Sequence, residues 1–395
     1  MPDRYDAASM LERQPGYQAA LQRVEAERSV RRQLRQGAGE WTVSSELARV
    51  RSSGAAPGDS KDWSLALERP VRWPGKSEVQ ARAGEARVAL SQAQLALAWR
   101  TAVRQFVADL LAWRRADASA ALWVVQRDAL GLQRDAVARR QRLGDAARLE
   151  QEQANVAWEQ ARAQADQTAA LAAAAKAQLM RRYPGLDLMP AGAGDTAGPI
   201  STVDAEIWRE DARRRSTEVG LAAAEAAVLA AQAEVERAER RPDPTVGVRY
   251  GRAAYGQEQT VALTFSVPFG GDYRRAGADA AAARATEAAL LLAEIESRWA
   301  AEAERRWLEA RALSAMVARQ RENADRLEAI AVRLARGYEL GEGSLNDVLI
   351  ARRAAGEQRL AATSAGIDEL QMRAQMLVDI DALWAPPERP APKRP

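Results

Sequence analysis

Two parts of the chain alternate between apolar and polar residues with a period of two. The alternation is clearest in the segment VALTFSVPF, and related segments are WTVSSELARV, WSLALERPVRW and TVGVRYG. A period of two is typical of β-strands that have two different faces. Joined pairwise through polar loops, these segments predict two β-hairpins, at 41–73 and 244–269.

A very long stretch without proline follows each hairpin, from Gly75 to Tyr183 and from Phe269 to Ala385. Apolar residues recur there at helical spacing, which predicts long amphipathic helices. Roughly sixty residues separate each hairpin from a distant glycine, and at 1.5 Å per residue this corresponds to a rod of ~90 Å. The glycine-bearing segments RQRLGDAARLE and ARGYELGEGSLND should reverse the chain, so each stretch predicts an antiparallel helical hairpin. The apolar residues that illustrate the helical spacing are Val103, Phe106, Val107, Leu110 and Leu111.

The same order of elements occurs twice. A shift of 197 residues superposes Leu143-Gly144 on Leu340-Gly341 and Ala86-Arg87 on Ala283-Arg284. We therefore predict a duplicated unit, in which a leading helix and a β-hairpin precede the helical hairpin. The predicted divisions are a first repeat at 5–183 with its tip near 144, a linker at 184–202, a second repeat at 203–385 with its tip near 341, and a disordered tail at 386–395. The leading helices are predicted at 5–35 and 203–240.

Composition narrows the possible functions. The chain has no cysteine and no histidine, which excludes thiolate and imidazole ligands and the usual nucleophile pairs. We expect no enzyme, no cofactor and no metal site. The formal net charge is +3 with the signs interspersed, so nucleic acid is not an expected partner. No window is apolar enough for a transmembrane helix, and the first residues of this chain contain no apolar segment typical of a signal peptide.

A two-stranded hairpin is not stable alone in water, so these strands must pair with further strands. About ten residues of alternating polarity with aromatic residues at the ends would also suit a tilted strand that crosses a bilayer, where only a closed barrel satisfies every backbone group. Four strands are too few to close around a pore, so the chain would have to form oligomers. Trp63, Trp73 and Tyr273 are the candidates for the membrane interfaces, where amphipathic rings are favoured. The alternative at this point is a soluble coiled-coil scaffold that carries surface hairpins.

The ordered set of elements resembles the TolC-like outer-membrane factor family (outer membrane efflux proteins). Its most telling segments are VALTFSVPFGGDYRRAGADAA and GYELGEGSLNDVLIARR, and LERPVRWPGK is similar to the strand-to-helix junction of the CzcC-like heavy-metal-efflux branch. The resemblance implies a fold that is mainly α with a small β part. It also implies a homotrimer whose twelve strands form an outer-membrane β-barrel on a twelve-helix periplasmic α-barrel.

In such an assembly the protein is the exit duct of a tripartite efflux or secretion system. The implied partners are two further copies of the chain, a periplasmic adaptor, an inner-membrane pump and outer-membrane lipid. The implied location is the outer membrane, with the helices extending into the periplasm. A periplasmic adaptor is a rival interpretation, since adaptors also contain a long helical hairpin, but they carry one such hairpin among domains rich in strands.

The resemblance also implies two kinds of site at the tips. Leu143, Gly144, Leu340 and Gly341 match the segment where the adaptor docks, although a glycine there also serves as an ordinary helix cap. Asp347 matches an aspartate at the periplasmic aperture. The 197-residue shift makes Glu150 its counterpart, while Ile350 and Gln153 one turn later are uncharged and predict a partly apolar gate. The alternative is that both carboxylates only favour the helix dipole in a first helical turn.

Overall fold

The computed structural model describes residues 4–37, 39–52, 58–188, 205–253 and 257–385. These residues form eight helices and one antiparallel sheet of four strands, which confirms the prediction of a mainly helical fold with a small β part. Most of the predicted linker, at 189–202, and the predicted tail at 386–395 lie outside the described residues.

Helices and strands follow each other in the same order twice. The first series is α1 Arg4–Glu12, α2 Pro15–Gln36, β1 Thr42–Ser52, β2 Gly58–Pro70, α3 Lys76–Leu143 and α4 Arg148–Arg182. The second series is α5 Ala205–Arg215, α6 Thr217–Glu239, β3 Thr245–Ala253, β4 Glu258–Ser266, α7 Gly271–Glu339 and α8 Leu345–Asp379.

Each leading segment forms two helices, where the sequence pattern predicted one. In the first series α2 begins at Pro15, which has no backbone N–H to donate and whose ring would clash inside a continuing helix. The amide of Gln14 bonds the carbonyl of Leu11 at 3.0 Å and closes α1 with a turn. In the second series the interruption falls at the buried residue Ser216.

The chain divides into two compact units, and neither is a single repeat. Unit 1 contains residues 1–17, 98–216 and 299–395, and unit 2 contains residues 18–97 and 217–298. Each unit therefore takes segments from both halves of the sequence, and the long helices α3 and α7 contribute to both units.

The sheet belongs to unit 2 and has the strand order β1-β2-β3-β4. Pairing between β2 and β3 joins the two repeats, with Trp63 opposite Arg252 at one end and Pro70 opposite Thr245 at the other. Below the sheet, Lys76 at the start of α3 is buried and its Nζ contacts Glu239 at 2.8 Å and Asp243 at 3.0 Å. This charge cluster ties the beginning of α3 to the segment that leads into β3.

Buried residues at intervals of seven, most of them alanine, form the packing faces of the helices in unit 1. On α7 the buried positions Ala310, Val317, Ala324, Ala331 and Tyr338 are each seven residues apart. On α4 and α8 the buried residues Ala154 and Ala161, and Ala355 and Ala362, are spaced in the same way. A strict seven-residue repeat keeps one seam of a helix facing its partner, as in coiled coils, and alanine lets the backbones approach closely.

Unit 1 also contains a core of large aromatic side chains. Phe106 packs edge to face on Tyr183 with ring centroids 4.7 Å apart, and its ring lies 5.3 Å from that of Trp384. The indole of Trp99 donates to the backbone oxygen of Trp384 at 2.9 Å. These residues come from α3, the end of α4 and the segment after α8, so only folding brings them together. The apolar residues of α3 that the helical spacing singled out, Val103 to Leu111, are buried as predicted.

A buried carboxylate connects three helices in the same unit. Asp379, at the end of α8, is 1% exposed. One of its oxygens contacts Arg104 of α3 at 2.7 Å and the other contacts Arg306 of α7 at 2.7 Å. Removing one partner from a buried ion pair leaves an uncompensated charge, so this cluster is sensitive to truncation.

We expect Asp379→Ala to lower the free energy of unfolding by about 3 kcal/mol, because Arg104 and Arg306 lose their shared partner. The midpoint of thermal unfolding, followed by circular dichroism, measures the effect. The matched control is Asp368→Ala, which breaks the exposed pair with Arg115 and should cost no more than about 1 kcal/mol. Equal losses in the two variants would contradict a structural role for the buried cluster.

Candidate functional site

Both helical hairpins reverse at a glycine with the same backbone geometry. Gly144 has φ +85° and Gly341 has φ +83°, in the left-handed region that other residues adopt only under strain. The amide of Asp145 bonds the carbonyl of Arg140 at 2.9 Å, and that of Glu342 bonds the carbonyl of Gly337 at 2.9 Å. This bond closes a Schellman-type helix end, which repeats with the same 197-residue shift as the sequence.

The leucine before each glycine points into solvent. Leu143 is 77% exposed and Leu340 is 61% exposed. Exposure of an apolar side chain to water is unfavourable. Two exposed leucines at equivalent turns therefore form apolar surfaces that a protein partner could cover. The geometry is therefore compatible both with capping and with docking.

Behind the turns, the two tips pack on each other within unit 1. Their shared core consists of residues from all four long helices: Val137, Ala154, Ala335, Tyr338, Leu345 and Val348. At its edge, the buried Tyr338 donates its hydroxyl hydrogen to Glu150 Oε2 at 2.7 Å. Arg140 lies over the Tyr338 ring at 4.6 Å and donates to the Tyr338 carbonyl oxygen at 3.1 Å.

This arrangement changes the acidity of the tyrosine. Burial, and then the hydrogen bond and negative charge of Glu150, raise the pKa of Tyr338 to about 12, while the nearby Arg140 acts in the opposite direction. The hydroxyl therefore stays protonated over the ordinary pH range and keeps donating to Glu150. Neither Tyr338 nor Arg140 was singled out from the sequence. The repeat comparison could not find the tyrosine, because the residue 197 positions earlier is Gln141.

The two candidate aperture carboxylates have different surroundings. Asp347 is exposed in the first turn of α8, where Ser344 Oγ accepts from its amide at 3.2 Å and donates to its Oδ2 at 2.7 Å. Glu150 lies in the first turn of α4, is only half exposed and accepts from Tyr338. The residue before α4 that corresponds to Ser344 is Ala147, which has no capping side chain. The structure thus places both carboxylates in first helical turns, and of the two only Asp347 presents its charge to solvent. One turn later, Ile350 and Gln153 are both exposed.

The sheet in unit 2 has one apolar and one polar face. Cross-strand partners Val43 and Leu67, and further along Val248 and Leu263, lie on one face. The complete apolar set, exposed except for half-buried Tyr250, is Val43, Leu47, Trp63, Leu65, Leu67, Val246, Val248, Tyr250, Val261, Leu263 and Phe265. The other face carries mainly small and polar residues, together with the exposed Val50 near the loop end of β1. The small and polar residues include Ser44, Glu46, Ser64, Ala66, Glu68, Gly247, Arg249, Ala262 and Thr264.

The three aromatic residues predicted for membrane interfaces occupy different positions. Trp63 lies inside β2 rather than at its end, and its ring packs edge to face on Tyr250 at 5.7 Å. Trp73 lies at the junction between β2 and α3, where its indole donates to the carbonyl oxygen of Pro242 at 2.7 Å. Tyr273 is 90% exposed in the first turn of α7.

Two negative findings concern the described residues only. None of the described helices contains an apolar stretch long enough to cross a membrane. In the same part of the chain, no group of three or more acidic side chains is placed so that it could hold a metal ion.

Comparison with solved structures relates this fold to outer-membrane channels. The chain superposes on the outer-membrane channel OprN with a TM-score of 0.81 at 16% identity, covering 97% of this chain and 91% of that one. For VceC, an outer-membrane protein of Vibrio cholerae, the TM-score is 0.73 at 15% identity, with 96% and 95% covered. For CusC the TM-score is 0.75 at 13% identity, with 95% and 91% covered.

At these identities the similarity establishes the fold. No protein-family profile and no curated protein sequence matches the chain. The solved structures that it resembles are described as outer-membrane channels or outer-membrane proteins. They do not single out the CzcC-like branch.

We expect the Tyr338 hydroxyl to titrate about two pH units above an ordinary tyrosine. The raised pKa means that this contact stabilises the fold fully below pH 10 and loses that stabilisation between pH 10 and about 12, because the unfolded chain ionises first. The difference in tyrosinate absorbance between the wild type and Tyr338→Phe isolates this one group. The substitution Glu150→Gln should move the pKa of Tyr338 part of the way back towards 10. A difference titration that is centred at 10 in the wild type would contradict the contact between Tyr338 and Glu150.

Proposed function

We propose that this chain is one subunit of a homotrimeric outer-membrane channel, the exit duct of a tripartite efflux or secretion system. The observation that carries the proposal is the two-faced sheet. An exposed surface of this many large apolar side chains on one face, opposite a polar face, suits lipid on one side and water on the other.

The edges of the sheet support the oligomer. Among the described strands, β1 pairs only with β2 and β4 only with β3, so each has one side of its backbone without a neighbour. In a bilayer every backbone group must be paired within the protein, and only a closed barrel achieves this for strands. Four strands from each of three chains give twelve, so that β4 of one subunit would pair with β1 of the next.

In this assembly the apolar face would contact lipid and the polar face would line the pore. Trp63, Trp73 and Tyr273 would lie towards the membrane interfaces. Brominated lipids quench the fluorescence of tryptophans that they contact. The Trp63→Phe variant should therefore lose part of the quenching that the wild type shows. A soluble coiled-coil scaffold would leave the same apolar face in water without a covering partner, so this rival is disfavoured.

The purified protein in detergent should therefore have three times the 43.0 kDa mass of one chain after correction for bound detergent. A matched pair on β4 tests the orientation of the strands. Leu263→Arg places a charge near the middle of the proposed lipid face and should prevent stable insertion at a cost of about 2–4 kcal/mol, whereas Thr260→Arg on the pore face should be tolerated. A folded, fully soluble monomer, or equal effects of the two substitutions, would refute the channel.

For the tips, we propose that the periplasmic adaptor docks on Leu143 and Leu340 beside their glycines. The support is the exposure of both leucines on two turns of equal geometry. Replacing both by glutamate should abolish efflux in cells that supply the matching adaptor and pump, and should leave the trimer intact. The double replacement by methionine keeps the surfaces apolar and should retain efflux. Unchanged efflux in the glutamate variant would reject the docking role.

We further propose that the Asp347 residues of the three subunits form a ring of carboxylates at the periplasmic aperture. Glu150 is hydrogen-bonded to Tyr338 and contributes less to this ring, and Ile350 and Gln153 are its uncharged neighbours. Like charges around a narrow opening attract cations and repel anions. The exposure of Asp347 supports this role for it more than for Glu150.

Two variants separate the charge of Asp347 from its place in the helix cap. Asp347→Asn removes the charge but keeps a side chain that can bond Ser344, and it should weaken cation selectivity in planar bilayers several-fold. Ser344→Ala keeps the charge and removes the cap, so it should preserve selectivity while costing about 1 kcal/mol of stability. Unaltered selectivity in Asp347→Asn would leave the residue with a capping role alone.

A further inference from the structure

A groove in unit 2 runs between α2, α3 and α6 below the sheet. Its volume is about 510 Å³, within the range of sites that hold drug-sized molecules. Because α2 and α6 run towards the strands and α3 runs away from them, Leu34, Gln80 and Glu236 mark the end near the sheet, and Arg23 and Gln94 mark the far end. The apolar lining consists of Leu34, Ala83, Leu90, Val228 and Val235.

Two of the three helices bring positive charges to the groove, and both have partners. Arg87 in the middle makes a two-pronged contact with Glu27, at 2.9 Å and 3.3 Å. Arg23 at the far end donates to the amide oxygen of Gln94 at 3.1 Å. The middle of the groove is therefore electrically neutral, whereas Arg23 keeps a positive charge at the far end because the Gln94 amide carries none.

Glu236 is different. Within the described part of the chain its half-buried carboxylate makes no hydrogen bond and no ion pair, although it lines the groove. Glu239, one turn further along α6, has its charge balanced by Lys76 at 2.8 Å. On the α7 side, the Glu236 carboxylate lies close to Gly277, which brings no charge. A carboxylate at one end of a groove that also presents five apolar side chains attracts a positive charge whose remaining surface is apolar.

We propose that this groove binds an amphipathic organic cation. The cationic group lies at Glu236, and the apolar body extends along Leu34, Val235 and Leu90. The proposal does not depend on the channel function, because all lining residues belong to one unit of a single chain. If the chain is a channel, the groove is a place where such cations are held.

The test uses tetraphenylphosphonium as the probe, with the full-length protein in detergent and equilibrium dialysis against a protein-free detergent blank. We expect saturable binding to the wild type that weakens about tenfold in Glu236→Gln, equivalent to ~1.4 kcal/mol. The control is Glu234→Gln, which removes the same charge from an exposed position on another face of α6, where it pairs with Arg237. This variant should bind like the wild type.

Two further measurements distinguish binding that depends on the Glu236 charge from nonspecific apolar partitioning of the probe. Tetraphenylborate has the same shape and the opposite charge, and should bind the wild type less tightly than tetraphenylphosphonium. Val235→Trp fills the groove while keeping Glu236, and should abolish binding of the phosphonium. Circular dichroism of each variant verifies that its helices are intact.

Three results would overturn the proposal. The first is equal affinity of the wild type and Glu236→Gln for tetraphenylphosphonium. The second is that the wild type binds tetraphenylborate as tightly as tetraphenylphosphonium. The third is the absence of saturable binding, which is expected if a second copy of the chain fills the groove. None of these results bears on the mass of the assembly or on the selectivity of a pore, so failure here is distinguishable from failure of the channel function.

Discussion

Backbone pairing between β2 and β3 is the interaction on which the two-repeat architecture depends. Among the described strands, it is the one ladder that links a strand of the first repeat to a strand of the second, over eight residue pairs. Because side chains alternate along a strand, the register of this ladder also decides which residues share a face. With Leu65 opposite Tyr250 and Leu67 opposite Val248, all four strands direct most of their large apolar residues to the same side, and Val50 is an exception. A slip of one residue would place half of that surface on the polar side.

In the described part of the chain, the edge strands β1 and β4 have no neighbouring strand on one side. Strands at the edges have unpaired donors and acceptors, and natural proteins cover, shorten or charge such edges. Here β4 is an edge strand that carries exposed Val261, Leu263 and Phe265. In water this combination would promote aggregation, whereas in a closed barrel the same edge completes the ladder. The unpaired edges of β1 and β4 therefore support the proposed oligomer on the ground of backbone hydrogen bonding alone.

At the tips, the two halves of the chain share their backbone geometry more closely than their side chains. The turns at Gly144 and Gly341 repeat the same hydrogen bonds, and the lengths of the helices that flank them are nearly equal. The side chains around the two turns have diverged, however. Ser344 caps α8 whereas Ala147 does not cap α4, and Tyr338 has no aromatic counterpart. As a result one carboxylate at the tips is bound within the protein and the other is available to solvent, so that the two repeats offer different chemistry on the same scaffold.

The sequence by itself determined the classes of elements, their order and the places where the chain reverses. These are local properties: alternation along Val261 to Phe265 defines a strand, and a glycine after a long amphipathic stretch ends a helix. It could not predict the break at Ser216, the assembly of Phe106, Tyr183 and Trp384 into one core, or the contact between Tyr338 and Glu150. Those features depend on residues that are far apart along the chain, and the distances and burial that decide their chemistry exist only after the helices have packed.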